Sequence, residues 1–162
     1  MSLAMNIVAL VGTNPYPFDR FIKPMDQLAG EHGWDVFIQT GSSEYRPYHC
    51  EYEQFIEKDK LHAKIKQADV VVCHGGFGSI RDALFYNKPI VAVPKKPELG
   101  EAQDYQEELV RELENTGYLI AVYDIENLYS SIIAAIDFTS AAVAGNQIPG
   151  IVSDYLKSVN LA

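Results

Sequence analysis

The sequence is poor in several things, and each shortage excludes a class of protein. It has two cysteines, Cys50 and Cys73, far apart and outside any C-x-x-C spacing. That rules out a disulfide framework and a thiol-based zinc or redox motif. Both are read as reduced thiols of a cytoplasmic protein. No H-E-x-x-H, D-x-D or EF-hand pattern occurs, and His49-Cys50 and Cys73-His74 are adjacent pairs rather than ligand spacings, so no metal site is expected. No apolar run approaches the roughly 20 residues of a membrane helix, and the N-terminus lacks the basic start of a signal peptide. No direct membrane span is expected. Basic residues are scarce as well, 13 against 22 acidic ones, for a net charge of −9. Such a surface repels phosphate backbones and anionic lipid, so nucleic acid is not an expected partner.

What is present is ordinary globular material. A length of 162 residues and a hydrophobic content of 48% suit one domain with a real core. The whole chain, 1–162, is read as that domain, a complete unit rather than a piece of a longer enzyme. Met1 to Ala4 read as a cloning scar, and 140–150 as a flexible linker to a short C-terminal helix at Val152 to Val159. Short apolar runs alternate with glycine-containing turns and amphipathic helices, a pattern that predicts a mostly parallel sheet covered by helices. Strands are expected at about Asn6 to Val11, Asp35 to Gln39, Tyr52 to Ile56, Asp69 to Cys73, Ile90 to Val93 and Tyr118 to Val122. The first helix starts near Phe18 and is ended by Gly30 and Gly33. Further helices are expected from Asp59 to Gln67, to about Tyr86, and from Ala102 to Asn115 with the stripe Tyr105, Leu109, Val110 and Leu113. A last long helix, N-capped by Asp124, carries Ile125, Leu128, Ile132 and Ile136. The polar stretch from Thr40 to Glu53 reads as a long functional or partly mobile loop.

The strongest chemical signal follows the buried strand that ends at Cys73. His74-Gly75-Gly76-Phe77-Gly78-Ser79 puts three glycines within four residues and then opens a helix. Glycines admit a ligand to the backbone N–H groups, and the helix start adds unpaired donors and partial positive charge. That suits a pyrophosphate, with Ser79 as a hydroxyl donor; the same run also fits a tight turn with no ligand. It is neither the G-x-G-x-x-G fingerprint nor a P-loop. Asp82 either complements the helix dipole or grips ribose hydroxyls. Gly12-Thr13-Asn14 also ends a strand, as a second wall of a cleft or as a turn alone. Glu101 and Gln106 either meet a sugar or base or lie on a solvated loop and helix face. His74, where the strand ends, is the one candidate catalytic residue.

The run VVVCHGGFGSIRDALFYNKPIVAVP resembles the C-terminal domain of glycosyltransferase family 28. IVALVGTNPYPFDRFIKPMDQLA and QTGSSEYRP resemble two further stretches of that domain, from about Asn6 to Leu128 in all. The likeness is greatest to the short members: the catalytic subunit of the two-part UDP-GlcNAc transferase that makes dolichol-linked chitobiose, and bacterial capsule and exopolysaccharide transferase subunits. The resemblance implies one Rossmann-like α/β domain, the C-terminal half of a GT-B fold. It implies inverting transfer from a UDP-sugar, with no metal and no other cofactor. Gly75, Gly76, Gly78 and Ser79 would face the diphosphate, with Gly12, Thr13, His74 and Phe77 around it. Asp82 would bind ribose, and Gln106, with Glu101, would lie near the donor sugar. Two departures stand out. The family usually has Glu at position 82, and the segment from Glu101 to Gln106 is one residue short and lacks a His, so the sugar's identity does not carry over.

A GT-B enzyme places its active site between two such domains, and this chain supplies one. The resemblance therefore implies a membrane-anchored partner subunit that brings the acceptor-side domain, recruits the chain to the inner face of the membrane and supplies the general base. The helix from Ile125 and the C-terminal segment are the expected contacts. Two other readings fit the residues: a nucleotide-binding or regulatory module without transferase activity, and a small hydrolase using Cys73 or His74.

Overall fold

A computed structural model describes residues 4–138 and Ser140; the expected linker beyond Ser140, the C-terminal helix and all but the last residue of the expected scar lie outside the described residues. Six parallel strands form one sheet in the order β3-β2-β1-β4-β5-β6. They are β1 (Asn6–Leu10), β2 (Asp35–Gln39), β3 (Glu51–Glu53), β4 (Val70–His74), β5 (Ile90–Val93) and β6 (Ile120–Ala121). The helices are α1 (Asp19–His32), α2 (Lys58–Gln67), α3 (Phe77–Phe85), α4 (Glu107–Asn115) and α5 (Leu128–Ile136). This is the strand order of the Rossmann-like, doubly wound fold.

The alternation of side chains along each strand builds two cores. Ile7, Ala9, Val36, Ile38, Val70, Val72, Val91 and Val93 pack under α1 and α5. Val8, Leu10, Val71, Cys73, Ile90 and Ala92 pack on the other face, under α2, α3 and α4. Because the strand order reverses between β1 and β4, the loops leaving these two neighbours diverge to opposite faces, and the crevice between them is where such sheets accept ligands.

Several elements depart from the sequence expectation for identifiable reasons. Gly30 does not end α1. It lies inside the helix, where a Cβ would come within 2.7 Å of the His49 ring. Gly33 alone closes the helix, in the left-handed region at φ 66°. The loop from Thr40 is fastened along α1. The buried carboxylate of Asp26 accepts from Tyr45 OH (2.7 Å), Tyr48 N–H (2.9 Å) and His49 N–H (2.7 Å). The expected strand at Tyr52 to Ile56 shifts back to Glu51–Glu53. The expected helix from Ala102 to Asn115 begins only at Glu107, after an irregular segment, and the loop before it contains a 3₁₀ turn at Pro97–Leu99. Tyr105 is thereby left 75% exposed, off the apolar stripe. Asp124 does cap, accepting from Glu126 N–H at 3.0 Å, but caps a 3₁₀ turn that leads into α5. The buried face of α5 is Leu128, Ile132 and Ala135, and Ile136 points outward.

Burial alone would raise the Asp26 pKa, but the bonds from Tyr48, Tyr45 and His49 hold it below the ordinary carboxylate value. The stabilisation is therefore complete above the unfolded pKa of about 4 and is lost as pH falls through the lower folded value. Asp26→Asn, which turns an NH₂ toward N–H donors, is expected to cost about 2–3 kcal/mol at pH 7. The gap between wild type and variant should close below about pH 4; urea midpoints at both pH values measure it.

Candidate functional site

A cleft of about 430 Å³ opens at the C-terminal ends of β1 and β4. It brings together Gly12 and Thr13 from the first loop, His74 and Gly76 from the second, and Phe77, Gly78, Ser79 and Asp82 from the start of α3. Gly75, Glu101 and Gln106 lie outside its lining. A larger hollow of about 690 Å³ between β3 and α2 contains neither a glycine loop nor a helix start; chemistry, not size, selects the smaller one. Among the described residues, no three His, Cys, Asp or Glu side chains gather as a metal site.

His74 is the hub of the cleft floor. Its ring lies between the two glycine loops. A Cβ on Gly76 would stand 2.0 Å from His74 Cε1, and one on Gly12 would stand 2.6 Å from Nε2. Gly12 also has φ 84°, a conformation that disfavours a side chain. Gln106 fixes the ring's protonation. Its Oε1 accepts from Gly75 N–H (2.9 Å) and Lys95 N–H (3.0 Å), two groups that only donate. The amide nitrogen is therefore the atom that meets His74 Nδ1 at 3.1 Å, and it donates. Burial first, then the nearby Lys95 charge, pull the His74 pKa down to about 3, against the opposing pull of the Gln106 bond. A neutral ring with Nδ1 accepting carries its hydrogen on Nε2, 3.2 Å from Ser79 Oγ. Ser79 thus accepts from His74, which frees its own O–H to donate.

No side chain caps α3. The first-turn N–H groups of a helix have no intrahelical partner, and here they lie beside a cleft lined by Gly76, Phe77, Gly78 and Ser79. A Cβ on Gly78 would meet nothing within 4 Å, so that glycine serves no packing need and leaves the backbone open. Uncapped N–H groups, a hydroxyl donor and the positive end of a helix are the features that can hold an anion.

Glu101 and Gln106 are held inside the protein. Glu101 is buried and takes a two-pronged bond from Arg20 (2.8 and 3.0 Å) while accepting from Lys96 N–H (2.8 Å). Arg20 also donates to Pro94 O at 3.3 Å, so this pair ties α1 to the loop after β5. Cys73 packs in the core, and burial pushes its thiol to about 12. It is no nucleophile at neutral pH, and the hydrolase reading, which had Cys73 or His74, loses its thiol.

Five residues escaped the sequence reading. Phe55, Ile56 and Leu61, from β3 through α2, form an apolar wall of the cleft. Buried Gln39 holds that wall: it accepts from Gly12 N–H (3.1 Å) and donates to Gly12 O (2.9 Å) and Gln54 O (2.9 Å). Lys95 is only 2% exposed, and its Nζ donates to cleft-lining Asn14 at 3.1 Å. Burial lowers its pKa to about 8, against the opposing charge of Glu101. The only linear signal for Lys95 was its place after Pro94 at a strand end.

The fold has known counterparts. The glycotransferase of kitacinnamycin superposes with a TM-score of 0.61 at 22% identity, over 88% of this chain and 37% of that one. MurG of Acinetobacter baumannii gives 0.61 at 15% identity, over 97% of this chain and 51% of that one. The solution structure of ALG13 gives 0.52 at 16% identity, over 85% and 88%. The chain thus spans about a third to a half of the first two. No curated protein matches the sequence. The model of the glycosyltransferase family 28 C-terminal domain, however, matches residues 6–144, nearly the whole described chain with its glycine loop and uncapped α3, and the chain belongs to that family.

Proposed function

We propose that the cleft binds a UDP-sugar, and that the chain is the donor-binding catalytic subunit of a split, inverting, metal-independent glycosyltransferase. It would move a hexose or N-acetylhexosamine to a lipid-linked acceptor in polysaccharide or glycolipid synthesis. The observation that carries this reading is the uncapped start of α3 beside the Ser79 hydroxyl, at the ligand crevice of a family 28 domain.

Each part of the cleft has a task in this reading. The diphosphate sits against Gly76 to Ser79 and faces Gly12 and Thr13. Asp82 accepts from ribose hydroxyls, and Phe55 and Ile56 cover the uracil. As the acceptor hydroxyl attacks C1 of the sugar, the C1–O bond to the diphosphate breaks. The electron pair leaves with UDP, and the α3 dipole and the Ser79 O–H stabilise it there. His74 is an orienting donor in this scheme. With a pKa near 3 and Nδ1 engaged, it does not accept the acceptor's proton at neutral pH. A membrane-anchored partner subunit supplies that base together with the acceptor-side domain, and holds the chain at the cytoplasmic face. Glu101 and Gln106, closed into internal bonds, keep the loops in place behind the donor sugar.

Calorimetric titration with UDP and UDP-sugars tests the reading. Binding that persists in EDTA is expected, and the tightest sugar identifies the donor. No UDP-dependent heat would sink the proposal. Asp82→Ala should weaken UDP about tenfold while the chain stays folded, as read from its melting transition. The purified chain should turn over no donor until the partner is added; robust turnover alone would refute the split arrangement. UDP binding with no turnover beside any partner would leave a nucleotide-binding module instead.

The neutral His74 has a consequence for stability. Unfolded histidine titrates near 6.5, so between about 6.5 and 3 the unfolded chain binds a proton that the folded chain excludes. Stability therefore decreases as the pH is lowered across that window. His74→Gln, which cannot titrate, should lose stability less steeply between pH 6.5 and 4 than wild type, as read from urea midpoints.

A further inference from the structure

We infer that His62, on α2, is a positioning residue of the nucleotide site, aiming the Asp82 carboxylate through its Nε2–H. This rests on the reading of Asp82 as the ribose-binding acid. His62 Nδ1 lies 2.8 Å from the Tyr86 hydroxyl, and the two rings meet edge to face at 5.4 Å and 86°. The ring is thus fixed from one side. Its other nitrogen, Nε2, is buried, has no hydrogen-bond partner and stands 3.7 Å from Asp82 Oδ2. A lone pair facing a carboxylate at that distance is repelled, whereas an N–H is attracted, so Nε2 carries hydrogen whether the ring is neutral or charged.

A buried donor without an acceptor costs free energy, and native proteins seldom keep one. The acceptor in place is Asp82, short of bonding range by less than about 1 Å. Asp82 on α3 and Tyr86, the residue that closes that helix, stand four positions apart, on one side of it. Tyr86, His62 and Asp82 therefore make a chain across the α2–α3 contact that ends in the cleft. α2 also puts Leu61, the neighbour of His62, into the cleft wall. Among the described residues Asp82 also pairs with Arg81, 3.5 Å from Oδ1 and 57% exposed, a pair of little weight in water. His62 is the partner that fixes direction. An Nε2–H directed at Oδ2 from 3.7 Å holds that oxygen by charge–dipole attraction and leaves Oδ1 to turn toward a ribose hydroxyl.

Titration of the full chain with UDP and with 2′,3′-dideoxy-UDP tests the inference. His62→Leu should weaken UDP about fivefold and leave the dideoxy nucleotide as in wild type, which also shows that the variant is folded. His62→Gln, whose amide N–H reaches the same point, should recover UDP binding. In an Asp82→Ala background, His62→Leu should add nothing. Unchanged UDP affinity in His62→Leu, or equal weakening of both nucleotides, overturns the role of His62 alone. A wild-type chain that binds no UDP, or does not distinguish UDP from its dideoxy form, removes the reading of the cleft and this inference with it.

Discussion

A neutral imidazole between two glycines sets the geometry of this cleft. His74 ends β4 where the strand order reverses, and its ring fills the space that side chains on Gly12 and Gly76 would take. The two loops can approach each other only because both lack a Cβ there, and they stay in register because the ring between them is held. Gln106 does the holding. One side chain accepts from the backbone after β4 and after β5 and donates to the ring, so three loops share one amide. The glycines are thus needed first for this internal packing. Gly78, with open space beside it, is the one whose missing side chain no internal packing requires.

The same logic recurs around the rim. Loops carry unpaired backbone groups, and these must be satisfied wherever the loop is buried. Gln39 does this between the first loop and the segment that carries Phe55. The Arg20–Glu101 pair does it between α1 and the loop after β5, and Asp26 does it for the segment folded along α1. Each is a buried polar group with several partners, which rigidifies when fully satisfied. A site built on such loops keeps its shape before a ligand arrives, so less ordering entropy is lost on binding.

The sheet was legible because its determinants are local. β2 and β5 run as their apolar stretches and bounding turns predict, and β1 and β4 differ by about a residue at an end. The glycine loop was legible too, since its chemistry is that of the backbone. What escaped was set by contacts distant in sequence. The start of α4 moved because Glu101 answers Arg20 and Gln106 answers Gly75, residues 81 and 31 positions away. Gly30 read as a terminator because nothing in the linear sequence says that His49 will lie on it. Phe55 and Ile56 read as strand, since only the strand order brings that segment over the end of β1. Lys95 looked solvated in a run with Lys96, Pro97 and Glu98, yet it is closed in beneath Asn14 and Phe18.

α3 shows how these constraints converge. Ser79 and Asp82 stand three residues apart on its first turns, one facing the helix start and the other one turn along. Each is approached by a histidine whose far nitrogen is already engaged: His74 by Gln106, His62 by Tyr86. His74 is a fixed donor because Gln106 occupies its Nδ1, and on the inference above His62 is a second one. A fixed donor behind a hydroxyl leaves that hydroxyl's hydrogen for a phosphate oxygen. Behind a carboxylate, it leaves the second oxygen for a ribose hydroxyl. Diphosphate and ribose are adjacent parts of one molecule, and in the proposed reading Ser79 and Asp82 on α3 meet one each, with the helix dipole favouring the anionic end. On that proposal the helix is the recognition element of the domain, and the sheet, the glycines and the two histidines hold it at the mouth of the crevice.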